Sequence, residues 1–229
     1  MRIRSTYLKK FIKMPEEGVA AALGVLPETQ ATPAMQTGSI LHAQILEKNI
    51  LWTPKEHGKG RQFSLDGEGK ILLNPETIKS IIDIDRAVCP VIDELLDGAV
   101  IEKDFICDYD INYYLTAKPD FLKDNCIYDL KTVTSSLWRN DADGWRWAAS
   151  YNGWDLQMAH YAYVLEQNGY KNLNACIIAV LKEPPHSVAF LRFGGVSMAC
   201  ARDKHRHVLE EFVAAVEDEK FLLPKTFEI

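Results

Sequence analysis

Two short segments constrain this chain more than any others: Lys118-Pro119-Asp120 and Asp129-Leu130-Lys131. The residues around them alternate as strands do. The pattern predicts strands over Tyr113–Phe121 and Cys126–Thr132, joined by a turn at Lys123-Asp124-Asn125. Such a hairpin brings Asp120, at the end of one strand, up to Asp129 on the next. Asp129 and Lys131 are two apart and share a face. Two converging carboxylates do not both stay ionised cheaply unless a cation lies between them. A lysine beside them can hold or deprotonate a water. Together they suggest a hard-cation site with an amine, suited to attack of water on a phosphate. A surface hairpin with an ordinary Asp-x-Lys ion pair has the same spacing, so the surrounding chain must decide.

Upstream, Ser5–Leu23 reads as a short basic helix broken near Pro15. Thr32-Pro33 is a helix start, a hydroxyl cap followed by proline. The helix that follows sets Gly38, Leu41, His42, Ile45 and Leu46 on one stripe, so His42 is expected to face inward beside a glycine that leaves room. Residues 52–74 read as a loop. Asn74-Pro75 starts a long helix that Cys89-Pro90 should bend or break and Asp97-Gly98 should end. Val100–Asp108 reads as the first strand of a three-strand meander, with a turn at Asp110-Ile111-Asn112. After the meander come a tryptophan-rich stretch (135–153) and a helix from about Asp155 to Gln167. Strands follow at Ala175–Leu181 and Val188–Phe193, then a last amphipathic helix over about Ser197–Glu219.

Composition narrows the classes. Of 229 residues, 47% are hydrophobic and 25% charged, which is globular rather than disordered. No run is long and apolar enough for a membrane helix, and Met1–Met14 lacks the pattern of a secretory signal, so a cytoplasmic protein is expected. Five cysteines at wide gaps form no CxxC pair, which argues against a zinc ribbon or iron–sulfur cluster and for reduced, mostly buried thiols. The net charge of −6 does not advertise nucleic-acid binding. Yet Arg2, Arg4, Lys9, Lys10 and Lys13 form an acid-free block, and Arg202, Lys204, His205, Arg206 and His207 form a second basic cluster. Each is a candidate path for a polyanion or a solvated face. Lys9, Lys10 and Lys13 are the first choice for such a path.

The hairpin resembles the PD-(D/E)xK nuclease superfamily, with Pro119-Asp120 and Asp129-Leu130-Lys131 as its two motifs. Gly38-Ser39-Ile40-Leu41-His42 is similar to the GxxxH helix of RecB-type and RecE-type nucleases, and Gln157-Met158-Ala159-His160-Tyr161 to their QxxxY motif. The nearest likeness is to the RecE (exonuclease VIII) group, more distantly to lambda-type exonuclease. It runs from about residue 5 to 195 and includes Lys10–Pro15, Thr32–Gly38 and Leu95-Leu96-Asp97-Gly98 before Glu102.

The resemblance implies an α/β fold with a restriction-endonuclease-like core: a central mixed sheet with an antiparallel meander, flanked by helices. It implies one nuclease domain over 1–229, with an N-terminal helical region (1–98), a catalytic core of about 100–195 and a C-terminal helix of about 197–219. His42, Asp120, Asp129 and the Leu130 carbonyl would be metal ligands, with Glu102 a candidate for another. Lys131 would position or activate water, and Gln157 and Tyr161 would steady the site or the DNA. His160 reads as a packing residue. Trp138, Trp145 and Trp147 would lie at the DNA entry, to stack on a base or cover the core.

The implied activity is a Mg2+-dependent exonuclease, with Mn2+ able to substitute. It would digest linear double-stranded DNA from its ends, 5′→3′, leaving 3′ tails for recombination. Its implied partners are a single-strand annealing protein of the RecT or Beta type and further copies of itself in a trimeric or tetrameric ring, with no membrane. The rival readings are a RecB-like nuclease of other polarity, a single-strand endonuclease, an inactive DNA-binding protein of the same fold, and an unrelated α/β binding protein.

Overall fold

Residues 1–25, 33–54 and 70–218 are described by the computed structural model. The Thr32 cap, most of the 52–74 loop and the Glu219 end of the last helix lie outside them. The chain opens with β1 (Arg2–Arg4), α1 (Ser5–Phe11) and α2 (Pro15–Ala22). Pro15 begins α2 rather than continuing α1, as a residue with no backbone N–H should. Next come α3 (Pro33–Leu46), β2 (Trp52–Pro54), β3 (Ile71–Leu73) and α4 (Pro75–Leu96). The middle holds β4 (Val100–Ile101), β5 (Phe105–Asp110), β6 (Tyr113–Ala117), β7 (Phe121–Lys123) and β8 (Cys126–Val133). The chain closes with α5 (Ala142–Tyr151), α6 (Trp154–Gln167), β9 (Asn174–Leu181), β10 (Val188–Phe193) and α7 (Gly195–Glu217).

The central sheet is mixed, in the order β10-β9-β8-β7-β4. β8 and β9 run parallel, joined through α5 and α6, and the other pairs are antiparallel. A second sheet, β1-β6-β5, and a parallel pair, β2-β3, complete the set among the described residues. Alternation along the two central strands divides the core. Ile127, Val133, Ala175, Ile177 and Ala179 pack with residues of α1, α6 and α7. Leu130, Ile178, Val180 and Phe121 pack with residues of α3 and α4. Each fully buried Ile, Leu or Val stabilises by about 1.5–3 kcal/mol relative to exposure. The sheet is therefore fixed in register, and so is whatever β8 displays.

The fold class matches the expectation, while several elements differ. The expected first strand is two strands in different sheets: β4 pairs with β7, and β5 pairs with β6. Between them Glu102 has φ 49°, a left-handed conformation that turns the chain out of line. The expected second strand is likewise split at Lys118-Pro119-Asp120 into β6 and β7, so the meander spans two sheets. Residues 52–54 and 71–73, read as loop, pair in parallel. Helix α4 runs on through Pro90 without a break. Pro90 lies on the exposed side, where water can satisfy the carbonyl that loses its partner. The tryptophan-rich stretch contains a helix, α5, capped by Asp141 accepting from the Gly144 N–H at 2.7 Å. The cysteines are all free, but only Cys176 is buried and Cys200 is exposed. Among the described residues, no helix is long and apolar enough to cross a membrane.

Candidate active site

The site forms just before β7 begins. Phe121 pairs with Tyr128, and two steps back along the chain Pro119 would face Leu130. Proline has no N–H to give. There the Asp120 carboxylate replaces a strand partner: its Oδ2 accepts the Leu130 N–H. The Asp120 carbonyl accepts from the Glu102 N–H at 2.9 Å, so the end of β4 is tied to the same point. Strand β8 adds Asp129 and Lys131 on the face toward α6, and turns Leu130 to the opposite core.

Helices supply the rest. On α3, His42 follows the fully buried Leu41 and reaches back to the strand. Its Nε2 donates to the Leu130 carbonyl at 2.9 Å, and its Nδ1 lies 3.4 Å from Asp120 Oδ1. On α6, Gln157 Nε2 donates to Asp129 Oδ1 at 3.0 Å and to the Tyr161 hydroxyl at 2.7 Å. Gln157 and Tyr161 are one turn apart, so both face the sheet. Lys131 forms an ion pair with Asp129 Oδ2. His42, Asp120, Asp129, the Leu130 carbonyl, Lys131, Gln157 and Tyr161 thus form one contiguous cluster from four elements or their ends.

Two further residues join the cluster, the candidate ligand Glu102 and, beyond the expected set, Lys9. Glu102 joins the site: one ligand atom each from His42, Glu102 and Asp120 lie within 4.8 Å of one another. Its carboxylate is also held by Lys118 Nζ at 2.6 Å. Lys9 reaches in from α1, donating to Gln157 Oε1 at 3.2 Å. It follows the buried Leu8 and stands four residues after the buried Ser5, which places it on the helix's inward stripe. That stripe was the signal available in the sequence. Lys9 therefore belongs to the site rather than to an outer grip on DNA.

Asp129 is 1% exposed and Asp120 8%. Burial alone lifts a carboxyl's pKa. At Asp120 the His42 imidazole, Lys131 and the Leu130 N–H outweigh burial and hold it below the usual range. At Asp129 burial wins: with the Asp120 charge it outweighs Lys131, and the carboxyl is pushed up. Asp129 and Asp120 together raise Lys131 despite its burial, and Asp120 raises His42. Lys9 moves the other way, down to about 8, through burial first and then the charge of Lys131.

A divalent cation fits these residues. Asp129 is buried beside the second carboxylate Asp120, and burial with that like charge outweighs its Lys131 partner, so a further cation would be favoured there. Carboxylate and carbonyl oxygens with one imidazole form a donor set for a hard or borderline ion. Such a set, with an ammonium beside it, can polarise a phosphate and orient a water.

Other residues fall outside the site. His160, within the QxxxY stretch, is fully buried: its Nε2 donates to the Thr116 carbonyl at 3.1 Å, and its Nδ1 accepts from His205 Nε2 at 3.1 Å. His205 is thus a core residue and does not belong to a basic surface. The rest of its cluster is paired: Arg202 with Glu166, Lys204 with Asp155, Arg206 with Asp203 and His207 with Glu211. Gly38 makes no special room: a Cβ there would meet nothing within 4 Å. Trp138 and Trp145 pack edge to face with each other, partly buried against the core, while Trp147 is exposed.

Sheet, flanking helices and the Asp120/Asp129/Lys131 cluster define a PD-(D/E)xK-type nuclease fold. The sequence matches the family described as "PDDEXK-like domain of unknown function (DUF3799)" over residues 5–222, and the chain belongs to that family. The fold is similar to the crystal structure of a candidate exonuclease from Eubacterium rectale, with TM-score 0.69 and 13% identity over 95% of this chain and 82% of that one. A phage-related exonuclease from Haemophilus somnus covers 95% of this chain and 96% of its own at 10% identity, with TM-score 0.43. No curated protein sequence matches.

Proposed function

We propose that this protein is a magnesium-dependent DNA exonuclease that digests linear duplex from its ends. The observation that carries this is the convergence of Asp120, Asp129 and Lys131 at the mouth of the β7–β8 hairpin, with Gln157 fixed against Asp129. His42, Glu102, Asp120, Asp129 and the Leu130 carbonyl would hold Mg2+, or Mn2+ in its place. The bound ion supplies charge to the scissile phosphate and lowers the pKa of water. Lys131, an ammonium anchored on Asp129, would orient the attacking water and stabilise the negative charge that develops at the phosphate. Gln157 keeps Asp129 from rotating, and Tyr161 keeps Gln157 in place.

The acidic net charge is compatible with this reading. Cations facing the site and acids facing outward can coexist in one chain, and a bound ion offsets the carboxylates. The resemblance to RecE-type nucleases supports 5′→3′ polarity, 3′ single-strand tails, hand-over to an annealing protein of the RecT or Beta type, and a trimeric or tetrameric ring for processive digestion.

The test is digestion of linear duplex DNA labelled at either the 5′ or the 3′ end, beside covalently closed circles of the same sequence. The proposal expects magnesium-dependent early release of the 5′ label, late release of the 3′ label and intact circles. Early loss of the 3′ label overturns the polarity. Cleavage of circles overturns the requirement for an end.

A further inference from the structure

An exposed aromatic pair lies beside the site. Trp147 and Tyr151 stand one turn apart on α5, stacked with ring centroids 5.0 Å apart and planes 15° from parallel. They are 52% and 60% exposed. Two such rings in water leave apolar faces uncovered, and they are flanked by cations rather than by core. Arg139 lies 5.2 Å from the Trp147 ring centroid, and Lys13 lies 5.4 Å from that of Tyr151. Arg139 and Lys13 make no ion pair with an acid among the described residues. Their charges are therefore available to an incoming anion.

The pair is continuous with the catalytic cluster. Lys9, which bonds Gln157, lies four residues before Lys13, which stands in the turn that follows α1, its N–H donating to the Lys10 carbonyl at 3.0 Å. Helix α5 ends at Tyr151, and Gly153 then starts α6 four residues before Gln157. At Gly153 the chain takes φ +67°, and a Cβ there would come within 3.0 Å of the Lys9 side chain. The tail of α1 thus lies along the junction of α5 and α6. One line of residues leads from Asp129 through Gln157, Lys9 and Lys13 to Tyr151 and Trp147.

We propose that Trp147 and Tyr151 are the seat of an unpaired nucleobase, with the phosphates of that strand running along Lys13 and Lys9 toward the catalytic carboxylates. The ligand is a single-stranded DNA segment at the cutting site. It suits this surface because every base has a π-face to stack, and its backbone charge complements the two lysines and Arg139. The inference rests on the nuclease reading above and adds that the duplex is opened before cleavage.

The experiment measures anisotropy of a fluorescent single-stranded DNA decamer, with calcium in place of magnesium, on wild type, Trp147→Ala, Tyr151→Ala and Trp147→Phe. A decamer of abasic sugar-phosphate units is run in parallel. Hydrolysis of bis(p-nitrophenyl) phosphate with manganese reports the catalytic site without any base, and light scattering reports the oligomeric state. Each alanine variant should weaken decamer binding by at least about fivefold. Trp147→Phe should restore most of it, and the abasic strand should bind wild type and Trp147→Ala alike. Hydrolysis of the small phosphodiester should be the same in all four proteins. Unchanged decamer affinity in both alanine variants overturns the proposal. So does equal weakening on the abasic strand, or a Trp147→Ala variant that dissociates an oligomer, because the face would then be covered by a second copy. Failure of the wild type to hydrolyse any phosphodiester would instead sink the nuclease reading and leave a binding surface.

Discussion

Lys9 and Lys131 bring like charges into one site from opposite sides of Asp129 and Gln157. Lys131 is anchored by a carboxylate, whereas Lys9 donates to a neutral amide oxygen, and burial brings it down to about 8. Its position there is electrostatically unfavourable, so removing it should not weaken the fold. Lys9→Met keeps the apolar stem and deletes the donor to Gln157 Oε1. We expect the melting temperature to hold or rise while the DNA-cleavage rate falls roughly tenfold, with partial recovery in Lys9→Arg. A melting temperature lowered in step with activity would mean that Lys9 is only a packing residue. The Asp120, Asp129 and Lys131 cluster was legible in the sequence because spacing on a hairpin determines which side chains meet. Lys9 and Glu102 were harder to read. The first depends on α1 docking against α6, more than a hundred residues away in sequence. The second depends on one left-handed residue at the end of β4.

At the scale of elements, the start of α6 is the most sensitive joint. Gly153 has φ +67°, a Cβ there would lie 3.0 Å from the Lys9 Cγ, and its carbonyl accepts the Gln157 N–H at 3.1 Å. Gly153→Ala should cost about 1–2 kcal/mol of stability through left-handed strain. It should lower activity further than that loss explains, because it crowds the Lys9 stem whose ammonium holds Gln157. Chemical denaturation together with single-turnover cleavage measures both. Unchanged activity in a folded Gly153→Ala protein would show that this joint does not position the site. Most element boundaries followed from periodicity and from proline and glycine punctuation. Besides the short strands β1, β2 and β3 and the unbroken α4, the exceptions were β4, β6 and α5. Of these last three, the first two stop at Glu102 and at Lys118-Pro119-Asp120, where tertiary pairing overrides a continuous alternating pattern. In α5, Asp141 caps a stretch whose small and aromatic residues give no clear stripe.

Over the whole molecule, two charge distributions have measurable consequences. The His160–His205 pair is buried and neutral, pulled down to about 4 and about 3, chiefly by burial. Unfolded histidine titrates near 6.5. From pH 6.5 down to about 4 the unfolded chain takes up protons that the folded chain refuses, so stability is full above pH 6.5 and falls as pH drops. The loss by pH 4 should be on the order of 3 kcal/mol per histidine, at about 1.4 kcal/mol per pH unit. A His160→Gln, His205→Gln double variant should show a flatter melting temperature between pH 7 and 5. An equally steep profile would rule out the pair as the cause. The second distribution is the basic surface. Arg202, Lys204 and Arg206 are each paired with an acid, whereas Lys10 and Lys13 lie in a block without acids. Lys10→Ala with Lys13→Ala should reduce the salt slope of duplex binding by up to about 1.8, at roughly 0.9 per phosphate contact. Loss of slope only in an Arg202→Ala, Arg206→Ala variant would relocate the DNA path.

The central claim is that Lys131, held by Asp129 beside Asp120, performs the chemistry on a phosphodiester. The most direct measurement is magnesium-dependent release of nucleotides from linear duplex DNA by wild type and Lys131→Ala, with metal binding of both followed by calorimetry. The account predicts wild-type digestion, a Lys131→Ala rate lower by at least ~10²-fold, and metal binding nearly unchanged. A folded Lys131→Ala protein that digests DNA at the wild-type rate would contradict it.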